Sequence, residues 1–406
     1  MPGSDASGAM TTAPPFAEYF EQPPGDWTWM DNAGGTVPLR SVARDIAGYL
    51  ARCPVQLGAS YAPSREATAA VDAGRRALAA LLQADDPDAV GGDEIFCGAS
   101  TTQLMMNLAR ALQPGLRRDD RIVVSRADHA ANQTAWLALG VPVDWWPVDA
   151  RTGRLEPEGL EALLTPRTRL VCFTHATNIT GDTHALEACV ALAHAHGALV
   201  CVDGVAWAPH RAMHVRDWEV DFYAFSPYKV FGPHCAVLYA RGAAQAALSP
   251  INHAFITDAP AAYEPGNAPY ELVHACRGLP DYFRRLGDGA SVAAGFERVE
   301  AIEHALCARM IDGLAGIAGL TLFGPREADG RLPIFSMHVA GHSPSQLVPT
   351  FDAAGIGLRW GHFYSPTLLE SLGVDPAEGV LRVSLTHRNT LAEVDRFLDV
   401  LRGALR

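Results

Sequence analysis

Five short apolar runs in the middle of the chain restrict its fold more than any other feature. They are Arg121–Ser125 (RIVVS), Arg169–His175 (RLVCFTH), Ala198–Gly204 (ALVCVDG), Asp221–Ser226 (DFYAFS) and Ala236–Ala240 (AVLYA). Each is apolar at nearly every position rather than at every second one, which is the pattern of a strand covered on both faces. Helical stretches separate the first of them, at Ala131–Leu139, Pro157–Leu164 and Thr183–His196. Such alternation predicts an α/β fold with a mostly parallel sheet between helical layers. The interval from Asp221 to Ala240 is too short for a helical crossover, so the last two runs are expected to pair antiparallel.

The flanks complete the expected organisation. Ser64–Leu82 and Gly287–Ala318 read as helices. From about Leu320, three strand-like runs (LTLFG, IFSMHV and VLRVSL) and a closing helix, Leu391–Leu405, predict a smaller α+β unit. A Thr390…Glu393 capping box starts that helix. The expected division is a loose leader over 1–15, a large domain over 16–300 and a small C-terminal domain over 301–406. The N-terminal segment of the large domain contributes to the small one. A chain of 406 residues has room for both.

Composition narrows the function classes. Hydrophobic residues make up 49% and charged residues 19%, an ordinary globular profile. The net charge of −13 argues against nucleic acid as a partner. No basic segment with an apolar core opens the chain, and no apolar stretch reaches the ~18 residues of a membrane span. The eight cysteines form no C-x-x-C pair, and several sit inside apolar runs. Reduced, buried thiols in a cytoplasmic protein are the expectation.

The chemistry lies at the ends of the apolar runs. Asp203 closes one of them, and Lys229 follows the next, within Ser226-Pro227-Tyr228-Lys229. A cofactor with a pyridine nitrogen at one end and an aldehyde at the other needs that pair. The carboxylate keeps the ring nitrogen protonated, and the amine forms a Schiff base. That cofactor is pyridoxal 5'-phosphate. Three further segments suit it. Ser100, Thr101 and Thr102 open a helix, where orphan N–H groups and the dipole favour a phosphate. His129 follows a strand and is placed to stack on a flat ring, and Asn178 follows another and is placed to donate to a phenolate oxygen. Each feature alone has an ordinary explanation as a capped helix, a turn residue or a solvated side chain. Together they supply phosphate, ring face, phenolate, ring nitrogen and imine contacts in chain order.

These residues carry a family resemblance. From Asp31-Asn32-Ala33-Gly34-Gly35 to Asn389-Thr390, and most specifically in DFYAFSPYKVFGPHCAVLYAR, the chain resembles the class V, fold-type I pyridoxal-phosphate enzymes. The cysteine desulfurase/selenocysteine lyase branch is the nearest match. The resemblance implies a mostly parallel seven-stranded sheet and a homodimer. It assigns Lys229 to the Schiff base, Asp203 to the ring nitrogen, His129 to the ring face and Asn178 to the phenolic oxygen. Ser226 and the turn Ser100–Thr102 take the phosphate. Tyr228 replaces the family's histidine before the lysine, and Ala206 replaces a glutamine, for which nearby His210 is expected to compensate in part. Arg382 corresponds to the arginine for the substrate α-carboxylate, with His362, Tyr364 and Asn32 also expected at the substrate. No metal is implied.

One departure bears on the reaction. In the desulfurases the loop after Arg-x-Gly-His carries a cysteine that attacks the substrate sulfur. Here the loop reads Arg359-Trp360-Gly361-His362-Phe363-Tyr364, and no cysteine follows Cys307. The expected activity is therefore that of an aminotransferase or C–S lyase without a persulfide-forming thiol, acting at Cα of a small amino acid or a cysteine conjugate. An epimerase of the same fold is an alternative. So is a non-catalytic regulatory protein that binds the cofactor, although no helix-turn-helix extension or basic patch accompanies it. A dinucleotide-dependent oxidoreductase is excluded by the lack of G-x-G-x-x-G after the first strand.

Overall fold

The computed structural model describes residues 16–21, 25–84, 86, 88–149 and 152–406. The leader expected over 1–15 lies outside them. A short strand, β1 (Thr28–Trp29), comes first. A central sheet follows, built from β2 (Ile95–Gly98), β3 (Arg121–Ser125), β4 (Val143–Trp146), β5 (Thr168–Thr174), β6 (Leu199–Asp203), β7 (Phe222–Phe225) and β8 (Ala236–Ala240). Its seven strands lie in the order β2-β8-β7-β6-β5-β3-β4. All are parallel except β8, which runs antiparallel to both β7 and β2. The antiparallel pairing expected for the last two apolar runs is thus present.

Alternate side chains explain why these strands are apolar throughout. Val123, Val171, Val200, Val202, Tyr223 and Phe225 enter one hydrophobic cluster. Their neighbours Ile122, Val124, Leu170, Cys172, Cys201, Phe222 and Ala224 enter another on the opposite face. A sheet with helices on both faces leaves no polar side to its central strands.

The remaining strands are β9 (Leu320–Phe323), β10 (Ile334–Val339), β11 (Ile356–Gly357), β12 (Arg359–Gly361) and β13 (Val380–Ser384). Four form an antiparallel sheet in the order β12-β13-β10-β9. It packs with the helices Val292–Ala315, Pro344–Ala353 and Leu391–Ala404 around a third cluster. The expected capping box is formed, with Thr390 accepting from the Glu393 N–H and Glu393 accepting from Thr390. The segment around β1 reaches across the sequence to this sheet: β1 pairs with β11, and Ser384 N–H donates to Met30 O at 2.7 Å. Among the described residues no helix is long and apolar enough to cross a membrane.

Candidate active site

Because β2, β3, β5, β6 and β7 all run the same way, their C-terminal ends meet at one edge of the sheet. Such an edge is where open α/β sheets hold ligands. A cleft opens there. Its lining includes Ser100, Thr101, Thr102, His129, Asn178, Asp203, Ala206, Ser226, Tyr228 and Lys229, all ten of the residues expected to contact the cofactor, and also Thr174.

At one part of the cleft two strand ends meet. Ser100 caps the helix Thr101–Leu112 by accepting from Gln103 N–H at 3.2 Å. Beside it Thr101 Oγ1 and Ser226 Oγ lie 2.7 Å apart. Two hydroxyls facing each other at a helix N-terminus are suited to an anion. Tyr228 lines the same cleft, with its ring stacked on His234 at 5.0 Å between centroids. Burial raises its hydroxyl above the usual phenol value.

His129 has a fixed proton arrangement. Its Nδ1 accepts from Ala131 N–H at 3.1 Å, which leaves the proton on Nε2. Burial, followed by the positive charges of Lys229 and Arg382, lowers its pKa to about 4. The ring is therefore neutral and flat at physiological pH. Its sequence neighbour Asp128 is buried and accepts from Ser125 Oγ and from Asn132 Nδ2, the latter at 2.7 Å.

Asp203 is 4% exposed and accepts from Val205 N–H at 2.9 Å. Burial raises its carboxyl, while that hydrogen bond and the Lys229 charge oppose the rise. Gly204 sets its position. A Cβ there would lie 2.1 Å from Cε1 and Cζ of Tyr223, a fully buried ring whose hydroxyl meets His175 Nδ1 at 3.0 Å. Gly204→Ala is expected to destabilise the fold by about 1–3 kcal/mol through overpacking. It should also displace the neighbouring carboxylate. A lowered Tm together with a weaker visible band of bound cofactor would check both.

Lys229 is partly buried, and burial, followed by the Arg382 charge, lowers its amine from 10.5 to about 8. A neutral amine is thus accessible near physiological pH.

None of the four residues expected at the substrate, Arg382, His362, Tyr364 and Asn32, is among those that line the cleft. Tyr364 is 66% exposed, and its ring centroid lies 5.2 Å from that of His129. His362 is exposed and accepts from Tyr364 N–H through Nδ1. Their loop is pinned: Asn178 Nδ2 donates to Phe363 O at 2.9 Å, Ser365 Oγ donates to Asn178 Oδ1 at 2.8 Å, and Ala130 N–H donates to Tyr364 O at 2.6 Å. Arg382 is 2% exposed and lies over the Phe363 ring at 3.7 Å.

Two expectations need correction. Asn32 directs its amide nitrogen to Trp29 O at 3.0 Å and Ser384 O at 2.9 Å, so that nitrogen holds backbone together and is not turned to the cleft. His210 does not stand in for a side chain missing at Ala206; its Nδ1 pairs with the fully buried Glu303 at 2.8 Å, away from the cleft. Sequence reading also missed Asp31, which accepts from both Arg382 and Arg359.

Donor groups at both ends and a lysine and carboxylate in one cleft fit pyridoxal phosphate. Comparisons with known proteins agree. The sequence pattern of the family "Aminotransferase class-V" matches residues 28–397. The chain is 40% identical over 392 residues to the aminotransferase-like protein FGM3 of Gibberella zeae, covering 92% of this chain and 94% of that one. It is 30% identical over 395 residues to the cysteine desulfurase-like protein ustD of Aspergillus flavus, covering 93% and 87%. Among solved structures, the cysteine desulfurase CsdA of Escherichia coli superposes with a TM-score of 0.83 at 26% identity, over 96% of this chain and 97% of that one. The chain belongs to the class-V aminotransferase family. It is an α/β enzyme of fold type I, dependent on pyridoxal phosphate, with cysteine desulfurase-like relatives.

Proposed function

We propose that the protein acts at Cα of a small amino acid as an aminotransferase or C–S lyase that uses no persulfide-forming thiol. The observation that supports this most is the loop beside His129. It presents Tyr364 there, and all eight cysteines of the chain are buried free thiols. Any sulfur released from a substrate would therefore leave without passing through an enzyme cysteine.

Pyridoxal phosphate, when bound, supplies an electron sink for charge developing at Cα. In this reading Lys229 would hold the aldehyde carbon, and its amine would take the proton from Cα. Asp203 would hold a proton at the ring nitrogen, and neutral His129 would cover the ring face. Ser100, Thr101, Thr102 and Ser226 bind the phosphate, and Arg382 binds the substrate α-carboxylate through its planar fork. The pinned loop fixes the wall on the substrate side, so orientation is set before the substrate arrives.

The reading is tested by incubating the holoenzyme with amino acids and cysteine S-conjugates and assaying keto acid, ammonia and sulfide separately. Keto acid without ammonia identifies transamination, and ammonia with a free thiol or sulfide identifies C–S cleavage. Persulfide on the protein would overturn the proposal.

The Lys229 amine carries a pH prediction. Capture of the aldehyde needs the neutral amine, and its pKa is lowered to about 8. Reloading of cofactor-free protein should therefore accelerate as pH rises and level off above about pH 8, instead of continuing to rise towards 10.5. Stopped-flow absorbance across pH 6–10 checks this.

A further inference from the structure

We infer that Asp31 is the positioning residue that presents Arg382 to the substrate carboxylate, an inference that rests on the reading of Arg382 just given. Arg382 has five N–H donors and is almost wholly enclosed. Phe363 covers one face of its guanidinium at 3.7 Å. Nη1 donates to Asn178 O at 3.1 Å, and Nη2 donates to Asp31 Oδ1 at 3.1 Å. Nε is buried and without a partner. One face and two anchors on different nitrogens define the plane of the fork. Asp31 is the only one of the three that carries charge.

The backbone around Asp31 is built to hold that contact. Asp31 bridges Ser384, two residues from Arg382 along β13. Ala33 N–H donates to Ser384 Oγ at 2.8 Å, and Ser384 N–H donates to Met30 O at 2.7 Å. The carboxylate and the guanidinium, 351 positions apart in sequence, are thereby sewn to the same strand.

Asp31 is also shared. Its other oxygen accepts from Arg359 Nε. Gly34 makes room for this, since a Cβ there would lie 2.2 Å from Arg359 Nη2 and 2.9 Å from Asp31 Oδ2. Two arginines and one carboxylate leave one net positive charge on the group. Arg359 steadies Asp31 from the solvent side, with 53% of its own side chain exposed, while Arg382 is held on the buried side.

The role is tested on the holoenzyme by titrating L-alanine and ethylamine, which differ by the carboxylate, and following the visible absorbance of the bound cofactor. Asp31→Ala should weaken L-alanine binding about tenfold or more, the effect of losing a hydrogen bond to a charged group. Ethylamine binding should stay unchanged. Asp31→Asn keeps an acceptor oxygen at the same place and should recover part of the loss; it serves alone if the alanine variant does not accumulate, and should then show a smaller weakening confined to L-alanine. With a turned-over substrate, KM should rise while kcat changes little. Equal weakening of both ligands, or no weakening of L-alanine, overturns the role of Asp31. Arg382→Ala separates the two ideas. It must erase the preference for L-alanine over ethylamine, and if that preference survives, the carboxylate reading of Arg382 is what fails.

Discussion

Lys229→Ala is expected to abolish the lysine-bound cofactor band of the purified protein, at about 400–430 nm. Lys229 lines the cleft on the turn after β7, with Asp203 and Ser226 lining it too. Of the residues lining the cleft it is the only one with an amine. Removing it leaves the cleft's hydroxyls and His129 in place, so the variant should still bind the cofactor, but reversibly and with the spectrum of the free aldehyde. Activity should fall by ~10²–10⁴-fold from loss of the general base alone, and further from loss of the covalent link. A ligand soaked out by dialysis from the variant, but retained by the parent protein, would support the assignment. A variant that kept both the band and turnover would refute it.

Much of this arrangement is legible in the sequence, for a physical reason. Central strands of a parallel sheet are buried on both faces, so β3, β5, β6, β7 and β8 stand out as apolar runs, and β3 and β8 match their expected limits to the residue. Within the central sheet, the strands that no apolar run marks are the two at the edges, β2 and β4. β2 has four residues, and β4 has four with an aspartate, Asp144, among them and only Trp146 fully buried. β2 is buried throughout but only four residues long and ends in glycine, while β4 is short and half-solvated, so neither gives a strong pattern. The residues that line the cleft were legible because parallel topology brings strand ends to one place, whatever their distance in the chain. Asp31 and Arg359 were not. Their contact spans 328 positions and depends on which way the N-terminal segment folds back onto β13, which no local periodicity encodes. The same limit applies to Asp31 and Asn32: sequence places the pair near β13 but does not say which of them meets Arg382.

Asp203→Asn is expected to keep the cofactor and lose most of the activity. The amide matches the carboxylate in shape, and its oxygen can still accept from Val205 N–H, which holds the side chain at 2.9 Å in the parent protein. The phosphate hydroxyls and Lys229 are untouched, so the visible band should remain. What changes is the charge facing the ring nitrogen. A carboxylate stabilises a proton there through a charge-assisted hydrogen bond. An amide gives no such stabilisation in a site that is 4% exposed, where water cannot substitute. The protonated ring then loses at least the ~1.5–3 kcal/mol of such a bond, or about 10–100-fold in rate. The loss grows further because negative charge leaving Cα has a weaker sink. The charge must also act on its neighbour: Asp203 helps retain the Lys229 proton, so its neutralisation should move the levelling-off of cofactor capture to lower pH. A variant with an intact band, slowed exchange of the Cα proton with solvent and that downward shift would fit a carboxylate that holds the ring nitrogen's proton. Exchange at the parent rate would mean that Asp203 serves only to shape the loop after β6.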